Sequence, residues 1–325
     1  MKWSRELRIA RRSMRTAFKA ASSVAKARAK LPATLQMPSW SVPTPLVANE
    51  SPTEVANFGS NPGKLAMFVH HPMRPPEVGA PLIVLLHGCG QTAAAFARDT
   101  GWGKLADRLG IPLVLPEQSG DNNRGRCFNW FRSAHAGRDL GEALSIRQMV
   151  AAAIDRFGSD PARVFVAGLS AGGAMTAALM AAYPDVFAAG ATIAGLPVGA
   201  ATTVSEALVR MAEAGPKRSR DDWARQVRLA APPGYAGHWP RVSIWHGLAD
   251  DVVDPANARL LAEQWSAVHE LDSSTDHSET DGSRCTIWGS PRRPAVELWT
   301  LPDLPHAWPP DAVDRVARFW GIHPV

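Results

Sequence analysis

Cysteine is scarce in this chain: three in 325 residues, too few for a disulfide scaffold and odd in number, so at least one thiol stays unpaired. The basic start does not lead into an apolar stretch. Lys19, Lys26 and Lys30 interrupt every window suited to a secretory signal, and Arg11–Arg12 is followed by a segment too charged for a twin-arginine signal, so no export signal is expected. Neither a G-x-G-x-x-G loop nor a Walker lysine is present, which argues against a nucleotide cradle. Internal repeats are also missing. The acidic stretch holding His269, His277 and Cys285 lacks tight ligand spacing, so neither a metal nor an organic cofactor is expected. One uncharged window, Val164 to Pro184, is long enough to cross a bilayer. Gly168, Gly172 and Gly173 interrupt it and its periodicity changes midway, the pattern of strand, turn and buried helix.

The net charge of +5 is unevenly spread. Lys2, Arg5, Arg8, Arg11, Arg12, Arg15, Lys19, Lys26, Arg28 and Lys30 face a single acid, Glu6, so the remainder of the chain is slightly acidic. That balance argues against a nucleic-acid partner. Residues 1–45 are expected as a basic arm, helical or solvated, followed by a linker broken by Pro32, Pro38, Pro43 and Pro45. The arm's one-sided charge suits contact with an anionic surface. Residues 46–325, from a chain 46% hydrophobic, suffice for one catalytic domain.

Within that domain strands and helices alternate. Leu65–Val69, Leu82–Leu86, Ile111–Leu115, Val164–Ala167, Ala188–Ile193 and Val242–Trp245 are short apolar runs expected as strands, the third stopped by Pro116. Ala93–Leu109, Glu142–Phe157, Ala171–Tyr183, Pro255–His269 and Ala312–Trp320 carry helical spacing. A hairpin is expected through Cys285–Trp299. Residues 198–240 interrupt the rhythm with Arg, Pro and Gly and are expected as an insertion capping the site. The alternation predicts an α/β fold, a mostly parallel sheet with helices on both faces.

Gly168-Leu169-Ser170-Ala171-Gly172 reads G-x-S-x-G, with a buried strand before it and an Ala-rich helix after it. That setting turns a strand sharply into a helix and pushes the serine out of the sheet as a nucleophile. A serine hydroxyl needs a base, and histidine, with a pKa near neutrality, is the usual one. His306 is favoured over His269, His277 and His323 because it follows the last expected strand and precedes the last helix. Asp250, just past the strand ending at Trp245, is the first choice to orient that histidine, with Asp251 and Asp254 close rivals and Asp303 a distant one. Two backbone N–H groups are needed for a developing oxyanion. Ala171 follows the nucleophile, and Cys89 lies in the Gly-rich turn Leu86-His87-Gly88-Cys89-Gly90, where His87 is expected to buttress the loop.

Together with Cys127-Phe128-Asn129-Trp130-Phe131, His246-Gly247 and His306-Ala307-Trp308, these motifs resemble the polyhydroxybutyrate depolymerase family, which includes feruloyl and acetylxylan esterases. The likeness extends from about residue 64 to 320. It implies an α/β-hydrolase fold and a serine carboxylic-ester hydrolase with Ser170, His306 and Asp250 as its triad. The implied substrate is poly(3-hydroxybutyrate) or its oligomers, with acylated plant polysaccharides as the alternative. A catalytically silent hydrolase fold and a serine peptidase stay open as other readings. The resemblance places a disulfide at Cys89–Cys127, against two buried free thiols, and substrate contacts at Trp130 and Trp308, against core packing in a chain with 12 tryptophans. It also implies secretion, in tension with the missing signal. Pro309-Pro310 replaces the glycines common in the family.

Overall fold

The structure is a computed structural model that describes residues 52–279 and 282–322. The basic arm of residues 1–45 and His323 lie outside the described residues.

Ten strands form one sheet. In chain order they are β1 (Thr53–Glu54), β2 (Ala66–His70), β3 (Leu82–Leu86), β4 (Leu113–Glu117), β5 (Val164–Leu169), β6 (Ala189–Ile193), β7 (Arg241–Gly247), β8 (Ser274–Ser278), β9 (Arg284–Ser290) and β10 (Arg293–Leu301). Their spatial order is β1-β2-β4-β3-β5-β6-β7-β10-β9-β8. The six central strands β4, β3, β5, β6, β7 and β10 run parallel, and the antiparallel strands flank them on both sides. Parallel strands must be covered on both faces, which is why β3 (LIVLL) and β5 (VFVAGL) have no exposed residue.

The cover comes from α1 (Ala93–Thr100), α2 (Trp102–Leu109) and α9 (Ala312–Trp320) on one face. On the other lie α4 (Gly141–Phe157), α5 (Ala171–Ala182), α7 (Arg220–Ala230) and α8 (Ala256–Val268). This is the α/β-hydrolase fold. Much of the tryptophan surplus is core. Trp320 stacks on Phe165 and Trp102 at 5.0 and 5.2 Å, and Trp245 stacks on Trp299 at 4.9 Å. No helix among the described residues is long and apolar enough to cross a membrane, and the uncharged window from Val164 divides into β5, a turn and α5.

Two sequence expectations need correction. The single helix over 93–109 is two, because Gly101 takes φ +89°, a left-handed conformation that ends α1 and redirects the chain into α2. The strand expected to stop at Pro116 runs on to Glu117. Beyond Val114 it pairs only with β2, the edge condition under which a strand tolerates proline. Residues 198–240 hold two helices, α6 (Val204–Ala212) and α7, each begun by a side-chain cap, Thr203 to Glu206 N–H and Ser219 to Asp222 N–H. A short α3 (Ser133–Ala136) precedes α4.

The α6–α7 segment is tied to the chain that follows β7. Asp254 N–H donates to Met211 O (2.8 Å), Asn257 Nδ2 to Arg210 O (2.9 Å), and Gln264 Nε2 to Val198 O and Trp223 O (3.0 Å each). The insertion is thus anchored four residues beyond Asp250 and along α8.

Candidate active site

The loops that carry the expected site residues leave the carboxyl ends of four parallel strands: Cys89 after β3, Ser170 after β5, Asp250 after β7 and His306 after β10. All four therefore emerge at one edge of the sheet, where an open α/β sheet presents its chemistry.

Ser170 sits at φ 57°, ψ −120°, a strained left-handed conformation for a residue with a side chain. Such strain costs about 1–3 kcal/mol and persists because the surroundings over-determine the turn. Ser170 N–H donates to Ile193 O at 2.8 Å, while Ala174 N–H returns to Ser170 O at 2.9 Å. The flanking glycines are sterically required. A Cβ on Gly168 would overlap the Gly172 carbonyl, and one on Gly172 would overlap the carbonyls of Leu86 and His87. The second clash shows how closely the start of α5 meets the loop after β3.

That loop is held from several sides. Buried His87 donates from Nδ1 to Gly88 O (2.8 Å) and accepts at Nε2 from Gln118 N–H (3.1 Å), which fixes the neutral tautomer. Burial pulls its pKa down to about 4 against the smaller upward pull of the Gly88 bond. Gly88 N–H is taken by Gln91 Oε1 (2.8 Å), and Arg126 Nη2 donates to Gly90 O (2.8 Å). Cys89 and Cys127 form a disulfide with Cα atoms 4.3 Å apart. The partner loop is gathered by Glu142, fully buried at the start of α4. Its carboxylate accepts from Gln118 Nε2 (2.8 Å), Asn129 N–H (2.8 Å) and Asn129 Nδ2 (2.5 Å). Among the described residues the backbone N–H groups of Cys89 and Ala171 donate to no backbone carbonyl, so both remain available to an incoming oxygen.

Asp250 is 8% exposed, and four donors satisfy it. Oδ1 accepts from Val252 and Val253 N–H at 2.9 Å each, and Oδ2 accepts from His306 Nδ1 at 2.8 Å and His246 Nε2 at 3.1 Å. Burial alone would push this carboxyl up. The hydrogen bonds from His246 and His306 outweigh it and hold the pKa below the usual carboxylate range. Of the rivals, Asp254 is spent on Ala256 N–H and Ala214 N–H, and Asp251 is exposed. Gly247 makes the meeting of the two loops feasible: a Cβ there would strike the Leu304 carbonyl, two residues before His306. His306 is half-buried, and its Nε2 has no hydrogen bond among the described residues, nor has Ser170 Oγ.

Trp130 is 8% exposed and packs edge-on against Phe131 at 5.5 Å. Trp308 is half-buried and meets Phe96 and Trp102 edge-on at 5.5 and 6.4 Å. Both tryptophans therefore do packing work. The sequence reading missed Gln91, Arg126 and Glu142, and it quoted His246 within a motif without giving it a role. His246 stood four residues before Asp250, the one local signal among them.

The family described as Esterase PHB depolymerase matches residues 69–285. The chain belongs to that family. It is 42% identical over 267 residues to the poly(3-hydroxyalkanoate) depolymerase C of Paucimonas lemoignei, a match covering 80% of this chain and 62% of that protein. To the feruloyl esterase B of Talaromyces stipitatus it is 33% identical over 291 residues, covering 87% of this chain and 78% of that one. Among solved structures, the acetyl xylan esterase from Aspergillus awamori superposes with a TM-score of 0.75 at 25% identity, over 84% of this chain and all of that one.

Proposed function

We propose that this family member hydrolyses carboxylic esters by acyl transfer through Ser170, His306 and Asp250. The observation that carries the reading is the 2.8 Å bond between Asp250 Oδ2 and His306 Nδ1, at the sheet edge where the strained Ser170 turn stands. A carboxylate can only accept, so Nδ1 carries the hydrogen and Nε2 keeps the lone pair that a base requires. Ser170 attacks the ester carbonyl while Nε2 takes its proton. The oxyanion is met by the free N–H groups of Cys89 and Ala171, the latter also at the positive end of α5. The imidazolium, stabilised by Asp250, returns the proton to the leaving alcohol. Water then repeats the steps to release the acid. In resting enzymes the serine–histidine bond is often unmade and tightens with substrate.

The substrate assigned is a poly(3-hydroxybutyrate) chain or oligomer, on the strength of 42% identity to a poly(3-hydroxyalkanoate) depolymerase. The ring of Trp308, two residues past His306 and half-exposed, would serve as an apolar wall. A second reading, acylated plant polysaccharide, is favoured by the feruloyl and acetyl xylan esterase matches, which span more of those proteins' lengths. Hydroxybutyrate oligomers, polymer film, feruloyl esters and acetylated xylan offered to one purified sample separate the two. A fluorophosphonate tests the chemistry itself. Rapid labelling of Ser170, lost in Ser170→Ala, is expected; slow labelling would assign the fold to binding instead.

A further inference from the structure

Six residues before the end of β7, at the edge of the sheet opposite Asp250, the structure has a second concave site. The start of β7, the β9–β10 turn and the last turns of α9 enclose a cavity of about 580 Å³. Five arginines line it: Arg241, Arg292, Arg293, Arg315 and Arg318. The acids on the same wall are Glu279 and Glu297. Arg315 is paired with Glu279 at 3.3 Å, and the other four have no carboxylate within ion-pairing distance among the described residues.

Two of the guanidinium groups are held in place by aromatic faces. Arg315 lies 4.5 Å over the Trp299 ring and Arg241 4.6 Å over Phe319, and both rings are buried. Cation–π contact fixes such groups by their faces; Arg315 Nη1 also donates to Glu279 Oε1 (3.3 Å) and Arg241 Nη1 to Pro294 O (3.5 Å), which leaves the other N–H groups of each fork for a ligand. Arg241 bears the cost of this arrangement: burial and then the neighbouring Arg293 press its pKa below the ordinary arginine value. Glu297 offers little compensation. It is 7% exposed, accepts from Ser243 Oγ at 2.6 Å, and burial pushes its carboxyl up to about 7, so much of its charge is suppressed at neutral pH. The carbonyls at the end of α9, which would repel an anion, are capped by Gly321 N–H to Arg318 O (2.9 Å) and Ile322 N–H to Ala317 O (2.8 Å).

Five converging guanidinium groups, four of them without a carboxylate at ion-pairing distance among the described residues, match a ligand of opposite charge. We infer that this cavity binds a small molecule bearing two or more oxyanion groups, phosphate or carboxylate, at a site separate from the ester-hydrolysing edge. Guanidinium forks recognise both groups in the same bidentate manner, so the chemistry is shared. The concavity and size favour a small molecule over an extended polyanion.

The test is calorimetric titration of the full chain with pyrophosphate and with citrate, each at constant ionic strength set with sodium chloride. The comparison is with the Arg293→Gln/Arg318→Gln double variant, whose two side chains are exposed and distant from Ser170. Binding by the wild type, weakened at least tenfold in the double variant with ester hydrolysis unchanged, is the expected result. Response to pyrophosphate alone would assign a phosphate ligand, and to citrate alone a polycarboxylate. Because the basic arm itself attracts anions, binding that persists undiminished in the double variant overturns the proposal. So does the absence of wild-type binding to either probe at millimolar concentration. Ligand-induced melting shifts give an independent readout, present in the wild type and lost in the double variant.

Discussion

His246 and His306 converge on a single oxygen of Asp250, donating to Oδ2 at 3.1 and 2.8 Å. His246 Nε2 also bonds Val253 O at 3.0 Å, and since a carbonyl only accepts, that nitrogen must carry the hydrogen. Asp250 is therefore oriented from behind by one imidazole while it orients the other. Asp250→Asn leaves the geometry nearly isosteric but presents an amide where an acceptor is required. In the proposed triad, kcat is expected to fall by about 10³- to 10⁴-fold with KM little changed. Steady-state kinetics on a soluble ester checks this; a loss under tenfold would remove Asp250 from the triad.

Replacing His246 by leucine removes a donor from Asp250 without touching His306. The less-satisfied carboxylate then holds the His306 proton more firmly. The acid limb of the kcat/KM profile is expected to move to higher pH, with a fall in kcat smaller than that of Asp250→Asn. A purely structural role for His246 would lower the amount of folded enzyme and leave the limb where it was.

Gly247 decides whether the Asp250 and His306 loops can meet. An added Cβ has the Leu304 carbonyl in its way, and backbone cannot swing aside as a side chain can. Gly247→Ala is expected to displace the 302–308 loop and, for a shift of about 1 Å, to reduce kcat by about 10²-fold. Labelling of Ser170 by a fluorophosphonate should slow in parallel. Wild-type kinetics in the variant would show that the loop accommodates the methyl group.

The parts of this fold that rest on local chemistry were legible in the sequence. Leu82–Leu86 is uniformly apolar because it is buried on both faces, and Gly168 and Gly172 stand where a Cβ has no room. Features that depend on where the chain goes next were not. Gly101 breaks a continuous helical pattern because the left-handed turn directs Trp102 into the core. Pro116 continues a strand only because β4 has parted from β3. Glu142, an acid opening a helix, reads as a surface residue until the loop of Gln118 to Asn129 is folded around it. The arginine cavity draws on residues 241, 292, 293, 315 and 318, whose proximity no spacing reveals.

Two buried groups set opposing pH dependences on stability. His87 has a folded pKa of about 4 against an ordinary 6.5, so the unfolded chain binds a proton that the folded one refuses. Its contribution is full above pH 6.5 and is lost as pH falls towards 4. Glu297, raised from 4.5 to about 7, does the reverse: its contribution is present below pH 4.5 and is lost as pH rises through 7. Each is worth about 3 kcal/mol by its pKa difference. The two nearly cancel in the wild type and separate in variants. In urea unfolding between pH 4.5 and 7, as pH rises His87→Gln should become less stable relative to wild type and Glu297→Gln more stable relative to wild type. Identical slopes in all three proteins would reject both assignments.

The Cys89–Cys127 bridge spans 38 positions and joins the loop bearing the proposed oxyanion donor to the loop bearing Trp130. Closing a loop of that length restricts the unfolded chain by about 4 kcal/mol in the chain-entropy estimate. In the folded state its more specific effect is to hold Cys89 N–H in place, together with Arg126 on Gly90 O. Cys127→Ser is expected to lower Tm and also to reduce kcat, because a mobile donor is worth less to a developing oxyanion than a fixed one. Under denaturing, non-reducing conditions the purified chain should titrate a single thiol, that of Cys285, which is buried in the native state. Three thiols would mean that the bridge is not formed. An unchanged kcat in Cys127→Ser would leave the remaining hydrogen bonds sufficient to hold the donor.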